Sequence, residues 1–211
     1  MLLVLVVAGG LGVGSSVLND LLVFLNLFIR SSHRSRLKIV QNTSVLFDSV
    51  EDLEEDLGKV VGEAFSCGTT RVSSDFGYSL LLASKEKEKS RIVVFSSNEA
   101  NLDFIKCSFT SKKLQIPVSC VSSGNEGVGY QVSDLFGNLV CDISKSESGV
   151  VFRYLVSILG LALDRMAPNR TERECVCHGK GIEKGYLCPI CLGLYCKFVP
   201  LCRHCKTKFV F

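Results

Sequence analysis

The sequence lacks both a basic N-terminal region and an apolar run long enough to cross a bilayer. Residues 1–29 carry a single charge, on Asp20, and the first apolar run begins at Leu2, directly after Met1. Leu2–Val7 is far shorter than a membrane span, and glycines at positions 9, 10, 12 and 14 separate it from the next apolar stretch. We therefore expect a buried strand, a turn and a core-facing helix, with no signal peptide and no membrane segment. Without secretion the compartment is reducing, and reduced thiols are what a zinc site needs.

The glycine-rich turn after the first apolar run lacks residues that three kinds of site require. Ser15 stands where a phosphate-binding loop needs a lysine. It also stands where a dinucleotide-binding turn needs its third glycine. Gln41 and Asn42 stand where a dinucleotide-binding domain has its ribose-binding acid. An adhesion-type magnesium site needs Asp-x-Ser-x-Ser, but residues 8–12 offer no side-chain oxygen. We interpret the turn as structural.

The chain is also poor in residues that suit nucleophilic catalysis. It has only three histidines, His33, His178 and His204, and no Gly-x-Ser-x-Gly elbow. The first histidine falls in a basic loop, and the other two stand beside cysteines near the end of the chain. We therefore expect a protein that is not an enzyme, with no catalytic residues and no residues that bind an organic cofactor.

Short apolar runs alternate with helical patterns over residues 1–166. The predicted strands are Leu2–Val7, Leu37–Val40, Val45–Phe47, Arg91–Phe95, Ile116–Val121 and Leu139–Ile143. The predicted helices are Ser16–Ile29, Ser49–Phe65, Ser74–Ser84, Asn98–Lys113, Asn125–Phe136 and Ser148–Leu163, with Asp48 and Ser49 capping the second. Such alternation predicts a doubly wound α/β sheet of parallel strands. We place this α/β domain at residues 1–166 and a small zinc-binding module at residues 167–211.

Cysteine is concentrated at the end of the chain. The last 37 residues hold seven of the eleven cysteines, and four of these form two Cys-x-x-Cys pairs. Cys188 pairs with Cys191 and Cys202 with Cys205, with ten residues between the pairs. Each pair turns two thiolates toward one point, and the intervening hairpin brings the pairs together as a tetrahedron. The spacing predicts one structural Zn²⁺ held by these four cysteines.

Four further residues of the tail can ligate metal: Cys175, Cys177, His178 and Cys196. They suffice for a second site, but adjacent Cys177 and His178 point in different directions and would not easily chelate one ion. A second zinc therefore stays an open alternative. A RING arrangement is not expected, because Cys175 and Cys177 break its pattern of interleaved ligand pairs.

The charge of the tail leaves nucleic-acid binding open. Residues 170–211 contain eight Lys+Arg and three acids, and a zinc ion on four thiolates lowers this positive balance further. The tail is thus mildly basic, without the strongly basic stripe of a typical DNA reader. Its aromatic residues are predicted to form a small core around the metal, with stacking on bases as the alternative; they are Tyr186, Tyr195, Phe198, Phe209 and Phe211.

The residues of the tail carry a family resemblance. Cys175-Val-Cys177-His178, Gly185-Tyr186-Leu187-Cys188, Tyr195-Cys196 and residues 200–205 closely resemble the tail of the 34-kilodalton core subunits of TFIIH, the general transcription and nucleotide-excision-repair factor. The match is specific over residues 175–209. Residues 90–94, the helix to Lys113 and residues 116–122 look like the fourth strand, helix and fifth strand of the von Willebrand A domain of that family.

The resemblance implies a von Willebrand A domain followed by a Cys₄ zinc finger, in a nuclear and non-catalytic scaffold subunit. The family's metal ligands fall on Cys188, Cys191, Cys202 and Cys205. The implied partners are other TFIIH core subunits, chiefly the larger subunit that also combines von Willebrand A and zinc-binding modules. Two alternatives from other classes stay open: a zinc-ribbon protein that binds nucleic acid, and an enzyme with a ligase-type finger or a nucleotide-binding sheet.

Overall fold

The computed structural model of the chain contains two compact units, Met1–Ala167 and Pro168–Phe211. It describes residues 1–8, 11–32, 34–52, 55–68, 71–86, 89–96, 102–123, 140–143, 148–159, 173–182 and 184–209. The predicted helix at Asn125–Phe136, the side chain of His33 and that of Phe211 lie outside the described residues.

A six-stranded sheet forms the centre of the first unit. Its strands are β1 (Leu2–Val7), β2 (Arg36–Gln41), β3 (Ser44–Asp48), β4 (Ser90–Ser96), β5 (Val118–Ser122) and β6 (Val140–Asp142). Their order is β3-β2-β1-β4-β5-β6, and neighbouring strands are parallel except β2 and β3, which are antiparallel. The chain winds outward from β1 in both directions, as in a doubly wound sheet. The predicted fold class, a doubly wound α/β sheet, is confirmed.

Helices cover both faces of this sheet. They are α1 (Ser15–Ser31), α2 (Leu57–Ser66), α3 (Val72–Lys85), α4 (Leu102–Lys113) and α5 (Val150–Ile158). Leu3, Leu5 and Val7 pack in one core cluster with residues of α1, α2 and α5. On the other side, α3 packs on β1 and β4 and against α4, where the Phe76 and Phe104 rings lie 5.0 Å apart. Alternate residues of β1 face opposite sides of the sheet. Because helices cover both sides, β1 is buried along its whole length.

The first helix uses the apolar spacing that the sequence shows. Val17, Leu21, Phe24, Leu25 and Phe28 are buried along one stripe. Asp20 is also buried, and its Oδ2 accepts a hydrogen bond of 2.8 Å from the backbone N–H of Gly149, the residue that precedes α5. The carboxylate thereby joins α1 to the start of α5. No helix in the described part of the chain combines the length and apolar character that crossing a bilayer requires.

The predicted start of the second helix is wrong. This helix begins at Leu57, not at Ser49, and its cap is Asp56, whose Oδ1 accepts the N–H of Gly58 at 2.9 Å. Asp48 and Ser49 belong instead to the sheet. Ser49 Oγ accepts the N–H of Leu37 at 2.9 Å, and this hydrogen bond continues the pairing of β3 with β2.

The parallel sheet predicted from the sequence has one antiparallel edge. Strands β2 and β3 form a hairpin whose two central residues, Asn42 and Thr43, have φ values of 53° and 54°. Two left-handed residues in a two-residue loop make a type I′ turn. The backbone N–H of Thr43 donates to the buried carboxylate of Asp75 on α3 at 2.6 Å, which holds the turn. The six predicted strands otherwise agree with the observed ones to within two residues at each end.

Candidate metal centre

Within its described residues, the second unit contains three short antiparallel pairings, each enclosing a turn that starts at a cysteine. Strands β7 (Arg173–Glu174) and β8 (Gly181–Ile182) enclose the first turn, and β9 (Tyr186–Leu187) and β10 (Leu194–Tyr195) enclose the second. A single bridge between Leu201 and Lys208 encloses the third. Such short pairings bury little apolar surface, so the unit needs another source of stability.

The turns at Cys188 and Cys202 have the same backbone geometry. In the first, the N–H of Leu192 donates to Cys188 O at 2.8 Å, and Leu192 has a φ of 58°. In the second, the N–H of Lys206 donates to Cys202 O at 2.9 Å, and Lys206 has a φ of 60°. The left-handed residue closes each turn and directs both of its cysteine side chains to the same side. Each pair therefore forms a metal knuckle of the kind that the Cys-x-x-Cys spacing predicts.

The structure brings the four predicted cysteines together. Cys188, Cys191 and Cys202 are buried, Cys205 is partly buried, and their four sulfur atoms lie within 4.8 Å of one another. The Sγ atoms of Cys188 and Cys205 are 3.7 Å apart, and those of Cys191 and Cys202 are 3.5 Å apart. A tetrahedral zinc site with Zn–S bonds of about 2.3 Å has sulfurs about 3.8 Å apart. The cluster is positioned to hold a metal ion, and its dimensions fit zinc.

The environments of three of these thiols differ. Burial raises the pKa of Cys188 and of Cys191, because removal from water costs the charged thiolate more than the neutral thiol. Burial also acts to raise the pKa of Cys202, but hydrogen bonds from the Cys205 N–H and the Tyr195 hydroxyl outweigh it and lower that pKa to about 6. Of Cys188, Cys191 and Cys202, the last therefore has the most thiolate character, and a thiolate is the form that a metal ion binds.

Tyr195 connects the two knuckles. Its side chain is 1% exposed, and its hydroxyl lies 3.1 Å from Cys202 Sγ. The hydroxyl also accepts the backbone N–H of Arg203 at 3.0 Å, inside the second knuckle. Burial and the hydrogen bond with Cys202 raise the pKa of Tyr195 to about 12, so the hydroxyl keeps its proton. Sequence reasoning placed Tyr195 in the small core but missed this contact, because nothing in the spacing indicates it.

The other predicted core aromatics lie nearer the surface. Tyr186 is 56% exposed and Phe198 is 46% exposed, and their rings meet edge to face with centroids 6.1 Å apart. Together with Phe209 they border an apolar cavity of about 360 Å³. The expectation that all these aromatics enclose the metal is therefore wrong for Tyr186 and Phe198, because the hairpins are too short to cover them.

The second set of predicted ligands is brought together in part. Cys175, His178 and Cys196 form a group whose ligand atoms lie within 4.8 Å of one another, with His178 Nε2 3.2 Å from Cys196 Sγ. Cys177 is outside this group. The prediction that Cys177 and His178 would not chelate together agrees with this arrangement.

Comparison with known proteins identifies the family. The family model described as transcription factor Tfb4 matches residues 54–206, more than half of the chain, and this range contains both cysteine clusters. The chain belongs to the Tfb4 family. The family resemblance seen in the tail is thus confirmed.

Two relatives of this Tfb4-family chain are TFIIH subunits by name. It is 24% identical over 245 residues to the general transcription and DNA repair factor IIH subunit tfb4 of Schizosaccharomyces pombe, covering 92% of the chain and 81% of that protein. It is 30% identical over 135 residues to general transcription factor IIH subunit 3 of Dictyostelium discoideum, covering 57% of the chain and 36% of that protein. The chain thus matches about a third of the Dictyostelium relative's length.

Among solved structures, the crystal structure of the TFIIH p34 N-terminal domain aligns with this Tfb4-family chain at a TM-score of 0.47 and 12% identity. The alignment covers 75% of the chain and 96% of that domain.

Proposed function

We propose that the chain is a non-catalytic scaffold subunit of the TFIIH core, acting in the nucleus in RNA polymerase II transcription initiation and nucleotide-excision repair. The observation that carries the proposal is the match to the Tfb4 family over residues 54–206. The two relatives, named as subunits of the same factor, support it. The family match supports association of the chain with TFIIH. The role that we propose within the complex rests on the features of the two units.

Zinc is the metal that we propose for the four-cysteine cluster. Four soft thiolate ligands in a tetrahedron select zinc over harder divalent ions. The Sγ distances of 3.5 Å and 3.7 Å fit its bond lengths. A structural zinc site contributes folding free energy on the order of 10 kcal/mol, which a unit with such short hairpins needs. The metal's role is then to hold the module in a fixed shape for binding.

We propose that the α/β domain binds a protein partner and performs no reaction. Ala8 follows β1, where an adhesion-type site has its first acid. Gln41 Nε2, near the same strand ends, donates to Val7 O at 3.2 Å and to Ala64 O at 2.7 Å, so it serves the fold. Exposed apolar side chains such as Val23 and Leu27, 44% and 54% exposed on α1, are available for burial against a partner.

The partner that we propose is the larger TFIIH core subunit with its own von Willebrand A and zinc-binding modules. A permanent subunit contact of this kind buries about 1,200–2,000 Å² or more. Co-purification tests the assignment: the tagged chain is isolated from cells, and the bound proteins are identified by mass spectrometry. Recovery of the TFIIH core subunits in comparable amounts is expected. Recovery of the folded chain without any TFIIH subunit would contradict the assignment.

The zinc module's contribution is measured in the same experiment with two cysteine variants. Cys188→Ser removes a ligand of the metal cluster, and Cys67→Ser changes an exposed cysteine of the first unit. If the module helps to hold the complex, Cys188→Ser recovers less of the TFIIH core than Cys67→Ser does. Equal recovery would show that the metal cluster contributes little to holding the complex.

Nucleic-acid binding is the second candidate function, because Tyr186 and Phe198 expose adjacent aromatic rings. Exposed aromatic faces beside a basic surface can stack on bases. Salt dependence separates this function from scaffold binding, since contacts to phosphate weaken steeply as salt rises.

A further inference from the structure

We propose that Cys175, His178 and Cys196 bind a second zinc ion, so that the C-terminal module holds two metal centres. The proposal goes beyond the four-cysteine cluster and does not depend on the TFIIH assignment. It rests on the backbone of the turn at Cys175 and on the position of Cys196.

The turn at Cys175 has the same backbone hydrogen bonds as the two knuckles of the four-cysteine cluster. The N–H of the fifth residue, Gly179, donates to Cys175 O at 2.8 Å, as Leu192 does to Cys188 O at 2.8 Å and Lys206 to Cys202 O at 2.9 Å. The N–H of each leading cysteine donates to the carbonyl of the sixth residue, and the first of these bonds, from Cys175 to Lys180 O, is 2.9 Å long. The three turns are therefore equivalent.

The closing residue of the turn supports the same conclusion. Gly179 has a φ of 63°, against 58° for Leu192 and 60° for Lys206. Glycine adopts this left-handed conformation at the lowest cost. The chain thus forms a third turn of knuckle geometry, and the sequence supplies the residue that best tolerates it.

Equivalence of the turns identifies the ligand pair. The fourth residue of each knuckle is its second ligand, Cys191 in one and Cys205 in the other. The fourth residue of the turn at Cys175 is His178, and imidazole is a common zinc ligand. Cys177 occupies the third position, which Ile190 and His204 hold in the other turns. A search for Cys-x-x-Cys alone misses the pair, because the second ligand is histidine.

Cys196 supplies the third ligand from the neighbouring hairpin. It directly follows β10, and its Sγ lies 3.2 Å from His178 Nε2. Its backbone N–H donates to Cys175 Sγ at 3.2 Å, and the N–H of Cys177 donates to the same sulfur at 3.4 Å. Hydrogen bonds from N–H groups favour the thiolate form that a metal binds. Three protein ligands leave one tetrahedral position for a further ligand.

The second ion would fix one hairpin against the other. Strand β10 ends in Tyr195, whose hydroxyl contacts Cys202 of the four-cysteine cluster, and the next residue is Cys196. The N–H of Val176 in the turn also donates to Leu194 O at 2.8 Å. Tyr195 thus contacts the four-cysteine cluster, and the next residue, Cys196, belongs to the second cluster. Both ions would therefore be attached to the same short segment of chain.

Counting metal ions on the full chain tests the proposal. The chain is purified under reducing conditions without chelator, and zinc is measured by native mass spectrometry and elemental analysis. We expect two ions per chain, one ion for Cys196→Ser, and two for the control Cys67→Ser, an exposed cysteine outside both clusters. One ion in the unsubstituted chain, or two in Cys196→Ser, would overturn the proposal. A Cys175–Cys196 disulfide in place of the second ion would overturn it as well.

Cys196→Ser could disturb folding and lose both ions, so two substitutions at His178 provide a second test. His178→Cys converts the turn to the Cys-x-x-Cys form of the other knuckles and should retain two ions. His178→Ala removes the ligand and should retain one. Equal zinc content in the two variants would contradict the proposal. Because the ions are counted on the isolated chain, a negative result here leaves the TFIIH assignment to be judged by co-purification alone.

Discussion

At the scale of single residues, Asp48 shows how the sheet accommodates a buried charge. Its carboxylate is 3% exposed, accepts Arg36 Nε at 3.0 Å and lies 3.2 Å from Lys38 Nζ. Burial acts to raise the pKa of Asp48, but hydrogen bonds from Arg36, the Val50 N–H and Lys38 outweigh it and hold the pKa below its ordinary value of 3.8. The ionised form is therefore the one that stabilises the edge of the sheet.

The pH dependence of Asp48→Asn follows from the direction of this shift. A carboxyl whose pKa is lower in the folded than in the unfolded state stabilises the fold in full at any pH above its unfolded pKa. That stabilisation is lost as pH falls through the folded pKa. We expect Asp48→Asn to lower the free energy of unfolding of the α/β domain by about 1.5–3 kcal/mol at pH 7. The deficit should begin to shrink as pH falls below about 4, where the carboxyl of the unfolded chain takes up a proton, and should disappear as pH falls through the lower pKa of the folded state.

Denaturant titrations of both proteins across that pH range, followed by circular dichroism, make the measurement. Glu63→Gln is the control, because Glu63 forms an exposed pair of 4.0 Å with Lys59 and should change stability by less than about 0.5 kcal/mol. A deficit for Asp48→Asn that grows as pH falls would contradict the assigned sign.

At the scale of elements, Gly185 sets how closely the β9–β10 hairpin can pack. A Cβ at this position would lie 2.5 Å from the Tyr195 carbonyl oxygen and 2.9 Å from Ile182 Cδ1. The first contact is with backbone, which cannot rotate away as a side chain can. Glycine at position 185 is therefore required by the close approach of the chain to the end of β10.

Gly185→Ala should therefore destabilise the C-terminal unit by about 1–3 kcal/mol, the usual cost of overpacking. Thermal unfolding of the zinc-loaded chain gives the measurement. Gly62→Ala is the matched control: Gly62 lies within α2 with open space around it, so alanine there should stabilise by about 0.5–1 kcal/mol. Equal effects of the two substitutions would contradict the packing at Gly185.

The elements that the sequence predicted best are those determined by local pattern. The apolar runs of the strands and the Cys-x-x-Cys pairs depend on neighbouring residues alone. The elements that it missed depend on distant partners. Asp48 belongs to the sheet because Arg36 and Lys38 bind it, and this leaves Asp56 to cap α2. The hairpin turn at Asn42 and Thr43 lacks the usual glycine and is held by Asp75, which lies more than thirty residues further along the chain.

The knuckle at Cys175 was missed for a related reason. The fourth residue of its turn, the second ligand in our proposal, is a histidine, and the sequence offered Cys177 beside it as an equal candidate. The backbone hydrogen bonds that make the three turns equivalent cannot be read from spacing. The sequence thus predicted the four-cysteine cluster completely and left the second cluster open.

At the scale of the whole molecule, the two units are stabilised by different means. The first unit has a large apolar cluster on one face of its sheet and further buried apolar side chains on the other, whereas the second has short hairpins around its cysteine clusters. Removal of metal with a chelator should therefore unfold residues 173–209 and leave the sheet folded. Hydrogen exchange read by mass spectrometry checks this segment by segment. Retained protection of the knuckle amides after complete metal removal would contradict a metal-dependent fold.

The central claim is that the chain acts by binding a protein partner. Its most direct test measures capture of the larger TFIIH core subunit and of duplex DNA by the zinc-loaded chain across a salt series. We predict tight capture of the subunit that changes little between low and moderate salt, because burial of apolar surface is not screened. Any DNA binding should be weak and lost as salt rises. Tight, steeply salt-dependent binding of DNA with no capture of the subunit would contradict the claim and favour a nucleic-acid-binding zinc ribbon.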